Sequence, residues 1–193
     1  LGHREQMNLL THWLDLSQVY GNTIQKSNEI RLFSGGLLNS TKVPGHKLSY
    51  LPYETVNNQP TFKSGDMRTN QNLIFLSFQT IWLREHNRIA IELSRVNPTW
   101  SDELLFQEAR KITIAEYQHI IYNEYLPFVL GEPVAKLYNI FPGTNTGSYF
   151  NAYDSNLNPS ILNEFTTAAF RFDQTLARSV FTKADIDFRP IGR

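Results

Sequence analysis

The stretch LTHWLDLSQVYG, residues 10–21, carries side-chain oxygens at odd-numbered positions, on Thr11, Asp15 and Ser17. Alternate side chains of an extended chain point to the same side, so these oxygens can face one point. A hard cation such as Ca²⁺ takes roughly six to eight oxygen ligands, and the backbone carbonyls of Thr11 and Trp13 can add to the set. The spacing is compatible with a calcium loop over residues 11–17, and it is also typical of an ordinary polar loop with an Asx-type turn.

Two arginines occupy positions where a positive charge can act on a ligand. Arg68 follows Ser-Gly-Asp-Met at a loop-to-helix junction, where an Arg can meet an anion or pair with a surface acid. Arg171 lies inside the apolar pattern AAFRFDQ, and burying its charge there would require an anionic partner. The histidines form no HExxH or other tight metal pair; the sequence predicts a surface or core role for His86 and a packed core position for His119.

The composition excludes several classes of protein. The 193 residues include 18 basic and 18 acidic side chains, and this balance argues against a nucleic-acid-binding protein or a polybasic membrane binder. No apolar run is long enough for a membrane span. The absence of cysteine excludes disulfides, thiol catalysis and Cys-ligated zinc within the chain. A chain without an initiator Met or a signal sequence is expected to be a fragment or a processed piece.

Periodicity predicts a mainly α chain with long irregular loops and little strand. Residues 21–66 are rich in Gly, Pro, Asn, Ser and Thr and are expected to form loop. Apolar residues at helical spacing predict helices within 68–96, 101–126 and 159–178. Ser101, followed by two acidic residues, is a typical helix N-cap.

Several long motifs occur in a fixed order along nearly the whole chain: REQMNLLTHWLDLSQVYG, SGDMR, WLREHNRIAIEL, YNEYLPFVLG and NPSILNEFTTAAFRF. Together they closely resemble the animal haem peroxidase family. The resemblance implies that residues 1–193 are a segment of a single haem-peroxidase catalytic domain with that family's mainly α fold. It also implies haem b and Ca²⁺ as cofactors, hydrogen peroxide and a small electron donor as substrates, and an extracellular or secretory location.

The resemblance assigns roles to residues at matching positions. It implies that the ligands of Ca²⁺ are Thr11, Trp13 (through its carbonyl), Asp15 and Ser17. It also implies that residues 68–96 form the helix that carries the distal arginine. Arg68 matches the distal arginine that stabilises negative charge as peroxide is cleaved. The family's distal His and one further calcium-binding Asp precede the loop and are expected to lie outside this chain.

The haem-binding positions depart from the family pattern. Gln71 stands where the family has the Glu that forms an ester to haem, and Asn72 stands where one member has a linking Met. Within residues 159–178, the resemblance assigns Arg171 to the haem side and makes Gln174 the counterpart of the proximal His that ligates iron. Asp173 replaces the family's Gly. An amide oxygen is a poor ligand for haem iron compared with an imidazole.

Three hypotheses follow from the sequence. The protein is a haem peroxidase whose activity is limited by the Gln174 substitution, or a catalytically inactive peroxidase-like module that binds a partner, for example in the extracellular matrix. The third hypothesis is a truncated fragment with no stable fold of its own. The sequence NST at residues 39–41 is a glycosylation acceptor motif compatible with secretion. The oligomeric state and the electron donor are left open.

Overall fold

The computed structural model describes residues 6–138, 140, 153–185, 187 and 189–192. Its contacts divide the chain into two units, one formed by Leu9–Asp154 and the other by Leu1–Asn8 together with Ser155–Arg193. No helix in the described part of the chain is both long enough and apolar enough to cross a bilayer.

The unit Leu9–Asp154 is dominated by two long helices that pack against each other, α3 (Leu73–Val96) and α4 (Asp102–Ile120). Helix α4 continues through a π-helical turn, Ile121–Tyr125, into α5 (Leu126–Leu130). The shorter elements of this unit are α1 (Ser17–Tyr20), α2 (Ile24–Ile30), β1 (Tyr53–Val56), β2 (Gln59–Phe62), a 3₁₀ helix (Met67–Asn70), α5 (Leu126–Leu130) and α6 (Glu132–Leu137).

Side-chain caps fix where the two long helices begin. The Ser101 hydroxyl accepts a hydrogen bond from the Leu104 backbone N–H at 3.3 Å, so the predicted cap of α4 is confirmed. Asn72 caps α3 by accepting from the Phe75 N–H at 3.0 Å. The expected single helix over 68–96 is therefore two elements, because Asn72 has extended backbone angles and separates the 3₁₀ helix from α3.

The core lies where α1, α3 and α4 meet the loop segments between them. Tyr20 and Phe106 are its largest fully buried apolar side chains, and their rings meet edge to face with centroids 6.1 Å apart. A smaller cluster joins Ile89 and Ala90 of α3 to Ala109 of α4. The main cluster comprises Leu16, Val19, Tyr20, Ile30, Leu38, Leu51, Trp82, Leu83 and Phe106.

Residues 21–66 are less irregular than their composition predicts. They contain α2 and the antiparallel hairpin β1–β2, in which Tyr53 pairs with Phe62. The hairpin turn uses Asn57 and Asn58, both with positive φ, which Asn tolerates better than most residues. The sequence does not predict these elements, because each is only a few residues long and is surrounded by Gly, Pro and Asn residues, which are typical of turns.

The unit that contains Ser155–Arg193 holds α7 (Asn163–Thr167), a 3₁₀ helix (Ala169–Leu176) and the antiparallel pair β3 (Lys183–Ala184) and β4 (Pro190–Gly192). The expected continuous helix over 159–178 is wrong. Ala168, with φ −132° and ψ −65°, interrupts the helical backbone between its two pieces. Most described residues after position 153 are exposed, so little apolar burial supports a longer helix there.

Candidate functional site

The segment Ser64–Asn70 is held against α1 by a close approach of two backbones. A Cβ built on Gly65 would lie 2.2 Å from the Gly21 nitrogen and 2.3 Å from the Ser17 carbonyl oxygen. The Gly65 N–H donates to the Val19 carbonyl at 3.1 Å. The Gly of the SGD motif is therefore required by packing against α1.

Ser64 and Thr69 form a buried polar cluster beneath the 3₁₀ helix. The Ser64 hydroxyl lies 2.9 Å from Oε1 of Gln79 on α3 and 3.1 Å from the carbonyl oxygen of Gln18 on α1. The Thr69 hydroxyl donates to the Asp66 carbonyl at 2.5 Å. These bonds fix the backbone that carries Asp66 and Arg68. Neither Ser64 nor Gln79 was predicted to have a role.

Asp66 binds both the backbone and the side chain of Arg68. Its Oδ1 accepts from the Arg68 N–H at 2.7 Å and from Nε at 3.0 Å, and its Oδ2 accepts from Nη2 at 2.7 Å. The carboxylate side chain is only 5% exposed, whereas the Arg68 side chain is 54% exposed. The hydrogen bond from Arg68 lowers the pKa of Asp66 despite its burial, and the same bond raises the pKa of Arg68.

The structure brings Arg68 and part of the predicted calcium loop to one cavity of about 430 Å³. Thr11, Trp13 and Ser17 of the loop line it together with Asp66 and Arg68. The rest of its wall is Leu10, Gln18, Ile74, Phe75, Phe78 and Gln79. The cavity therefore offers a guanidinium and two hydroxyls within a largely apolar wall.

The loop oxygens bond to their own backbone. Thr11 Oγ1 accepts from the Trp13 N–H at 2.9 Å, and Asp15 Oδ1 accepts from the Ser17 N–H at 3.0 Å. This is the Asx-type turn that the sequence offered as the alternative to a calcium loop. Asp15 lines a second cavity of about 620 Å³, which Thr11 also borders. Within the described residues, no three His, Cys, Asp or Glu side chains form a cluster that could hold a metal ion.

The other predicted positions are exposed. Gln71 ends the 3₁₀ helix and donates its N–H to the Arg68 carbonyl at 2.9 Å, and it does not line the Arg68 cavity. Asn72, next to it, caps α3. Asp173 and Gln174 lie on the exposed 3₁₀ helix of the other unit.

Arg171 is not buried, so the expectation that it needs an anionic partner is wrong. Its side chain follows the surface of the 3₁₀ helix, where Nε donates to the Thr166 carbonyl at 3.2 Å. Its guanidinium lies 4.7 Å from the centroid of the Phe170 ring, and solvent reaches the charge. His119, expected in the core, is also exposed and contacts Asn123.

A model of the animal haem peroxidase family matches residues 1–191. The chain belongs to the animal haem peroxidase family. The resemblance inferred from the motifs is thus confirmed, and the family implies haem as cofactor.

Three similar proteins illustrate the match. The chain is 45% identical to a peroxidase of Drosophila melanogaster over 89% of its own length and 26% of that protein. It is 41% identical to a chorion peroxidase of Aedes aegypti over 94% of its own length and 23% of that protein. The solved structure of peroxidase A from Dictyostelium discoideum has a TM-score of 0.76 and 30% identity, covering 93% of this chain and 34% of that one.

These matches establish the fold of the chain. The predicted mainly α haem-peroxidase fold is confirmed by the likeness to peroxidase A. The chain spans about a quarter of the length of these two relatives.

Proposed function

We propose that the protein is a haem-peroxidase-family domain that keeps the distal-side arginine and the calcium loop but is severely limited in peroxide turnover. The observation that carries this proposal is the cavity shared by Arg68, Asp66, Thr11, Trp13 and Ser17. Residues of the LTHWLDLSQVYG and SGDMR motifs both line this cavity, which supports it as the place where peroxide and a small electron donor would act.

Within this cavity, Arg68 is the group suited to stabilise negative charge. Asp66 holds the guanidinium through two hydrogen bonds and the Arg68 backbone N–H through a third, and the buried bond between Ser64 and Gln79 ties this segment to α3. A preorganised positive charge stabilises a developing anion without first having to reorient. Arg68 is therefore proposed to bind and polarise a peroxide oxygen.

The residues at the family's iron-ligand position do not fit haem iron. Gln174 offers a weakly basic amide oxygen, and its neighbour Asp173 adds a charge. The histidines that the structure describes, His12, His46, His86 and His119, all belong to the other unit. No catalytic step is assigned to iron in this chain, and turnover is proposed to be low for this reason.

We also propose that the loop of residues 11–17 binds a calcium ion. Thr11, Asp15 and Ser17 provide hydroxyl and carboxylate oxygens, and the Trp13 carbonyl provides a further ligand, which is the donor chemistry that Ca²⁺ prefers. Binding would require the Asp15 and Thr11 oxygens to leave their present backbone hydrogen bonds or to share them. Ca²⁺ should therefore raise the unfolding midpoint of the protein, and Asp15→Asn should abolish this rise, whereas Asp187→Asn should keep it.

The catalytic part is tested by steady-state peroxidase activity in the presence of haemin and a phenolic donor. The peroxidase activity of the wild-type protein with haemin should not exceed that of free haemin. The activity of the double variant Asp173→Gly/Gln174→His should exceed it. Adding Arg68→Ala to the double variant should remove the gain, while adding Arg95→Ala, an exposed arginine on α3, should not. Wild-type turnover well above free haemin would contradict the proposed limitation.

A second candidate function is that of an inactive peroxidase-like binding module. The substitutions at Gln71, Asn72 and Gln174 favour it, since each replaces a side chain that the family, or one member of it, uses to hold haem. A double variant that stays inactive and binds no haemin would support this reading over an impaired enzyme.

The location is proposed to be extracellular or secretory. One relative is by name a chorion peroxidase, and the acceptor motif at residues 39–41 is compatible with secretion.

A further inference from the structure

The chain contains a single Asn-X-Ser/Thr motif without proline at its middle position, at Asn39-Ser40-Thr41. The two other near-matches, at Asn97 and Asn158, have Pro as the next residue, which blocks transfer of a glycan. A unique motif gives a clear test, because any N-linked glycan on the chain must be at Asn39.

The backbone next to Asn39 is firmly anchored. Leu38 is buried, and the Asn87 carboxamide accepts from its N–H at 2.8 Å and donates to its carbonyl at 3.0 Å. The Asn39 N–H donates to the Ile30 carbonyl at 2.8 Å, and Thr41 forms an isolated antiparallel bridge with Tyr50. The motif therefore lies on a short, fixed segment of the folded protein.

The Asn39 side chain is free to carry a substituent. Asn39 is exposed, and the described part of the structure shows no hydrogen bond to its carboxamide. Because the backbone N–H, not the side chain, provides the local bond to Ile30, a glycan on Nδ2 would break no interaction of the fold. Asn87, by contrast, uses both ends of its carboxamide to bind the Leu38 backbone.

We propose that Asn39 is an N-glycosylation site. Nδ2 of Asn39 forms a bond to C1 of the sugar, the bond from C1 to the phosphate oxygen of a lipid-diphosphate donor breaks, and the amide proton leaves with a base. The Thr41 hydroxyl is the recognition group at the third position of the motif. This proposal rests on the proposed secretory location and not on peroxidase activity.

The test is expression of the protein in secreting eukaryotic cells, followed by treatment with a peptide N-glycosidase, an amidase that hydrolyses the Cγ–Nδ2 bond of a glycosylated asparagine and leaves aspartate. The secreted wild-type protein should shift to a lower mass, with Asn39 converted to Asp in the peptide map. Asn39→Gln and Thr41→Ala should abolish the shift, and Ser40→Ala should retain it. All three should fold as the wild type does, since none of these side chains has a bond in the core.

Two outcomes would overturn the proposal. One is a secreted wild-type protein that carries no glycan, and the other is a shift that persists in Asn39→Gln. If the native protein stays inside the cell without a glycan while a version fused to a secretion signal is glycosylated, the secretory premise is wrong and the site is not used in the native protein. Peroxidase assays on the same samples keep this failure separate from a failure of the catalytic proposal.

Discussion

His86 links the stability of the fold to pH. Its side chain is fully buried, with Nε2 2.9 Å from the Gly36 carbonyl oxygen and Nδ1 2.9 Å from the Tyr20 hydroxyl. A carbonyl can only accept, so Nε2 carries the hydrogen and Nδ1 accepts from Tyr20. Burial, together with the positive charges of Arg31 and Arg110, lowers the pKa of His86 to about 4, although the bond to Gly36 opposes this.

The size of the effect follows from the two pKa values. In the unfolded chain His86 should titrate near 6.5, so the folded state keeps it neutral at pH values where the unfolded state binds a proton. Its contribution is complete above about pH 6.5 and is lost as the pH falls towards 4. At about 1.4 kcal/mol per pH unit, lowering the pH from 7.5 to 5.0 should cost about 2 kcal/mol of unfolding free energy through this residue alone.

The assay is urea unfolding at pH 7.5 and 5.0 for the wild type, His86→Gln and His46→Gln. His86→Gln should be less stable at pH 7.5 because Gly36 and Tyr20 lose good partners, but it should lose about 2 kcal/mol less on acidification. His46 is exposed, so His46→Gln should keep the wild-type pH dependence. An unchanged pH dependence in His86→Gln would refute the argument that a buried neutral His86 carries the effect.

Two further sets of variants test the packing around the Arg68 segment and the core, each by urea unfolding at pH 7.5. Gly65→Ala should lower the free energy of unfolding by about 3 kcal/mol, because the added Cβ would collide with α1. Gly45 has φ +81° and open space around it, so Gly45→Ala should lower that free energy by only about 1 kcal/mol, through backbone strain. Equal losses would contradict the close approach. Asn87→Ala should lower the free energy of unfolding by about 2 kcal/mol, because the N–H and carbonyl of buried Leu38 would lose their hydrogen-bond partners. An unchanged free energy of unfolding would contradict the importance of these two bonds.

The family, the helical class and the cap at Ser101 could be predicted from the sequence. Long motifs identify the family, and periodicity together with an N-cap residue defines the two long helices. Arg68 could be placed beside a helix, but its bonds to Asp66 required the three-dimensional structure. Short elements such as α2 and β1–β2 could not be predicted, because they are too short to show a clear hydrophobic period and are stabilised by packing against distant segments.

The errors at Arg171 and His119 have a common cause. Apolar neighbours along the sequence were taken as evidence of burial, yet both side chains are exposed in the structure. The reverse holds for Ser64, Thr69 and Gln79, which look like ordinary polar surface residues and are buried in one hydrogen-bonded cluster. Polar burial depends on which distant segments meet, and local sequence carries little signal of it.

The most direct test of the proposed loss of haem function is a titration of the purified protein with haemin, followed by visible absorption spectra. The wild type should show no histidine-ligated ferric spectrum and no intermediate on adding peroxide, because Gln174 replaces the iron ligand. The Asp173→Gly/Gln174→His variant should gain a saturable, histidine-type spectrum. A saturable histidine-type spectrum and a peroxide intermediate in the wild type would contradict the proposal and show that another residue of the protein ligates the iron.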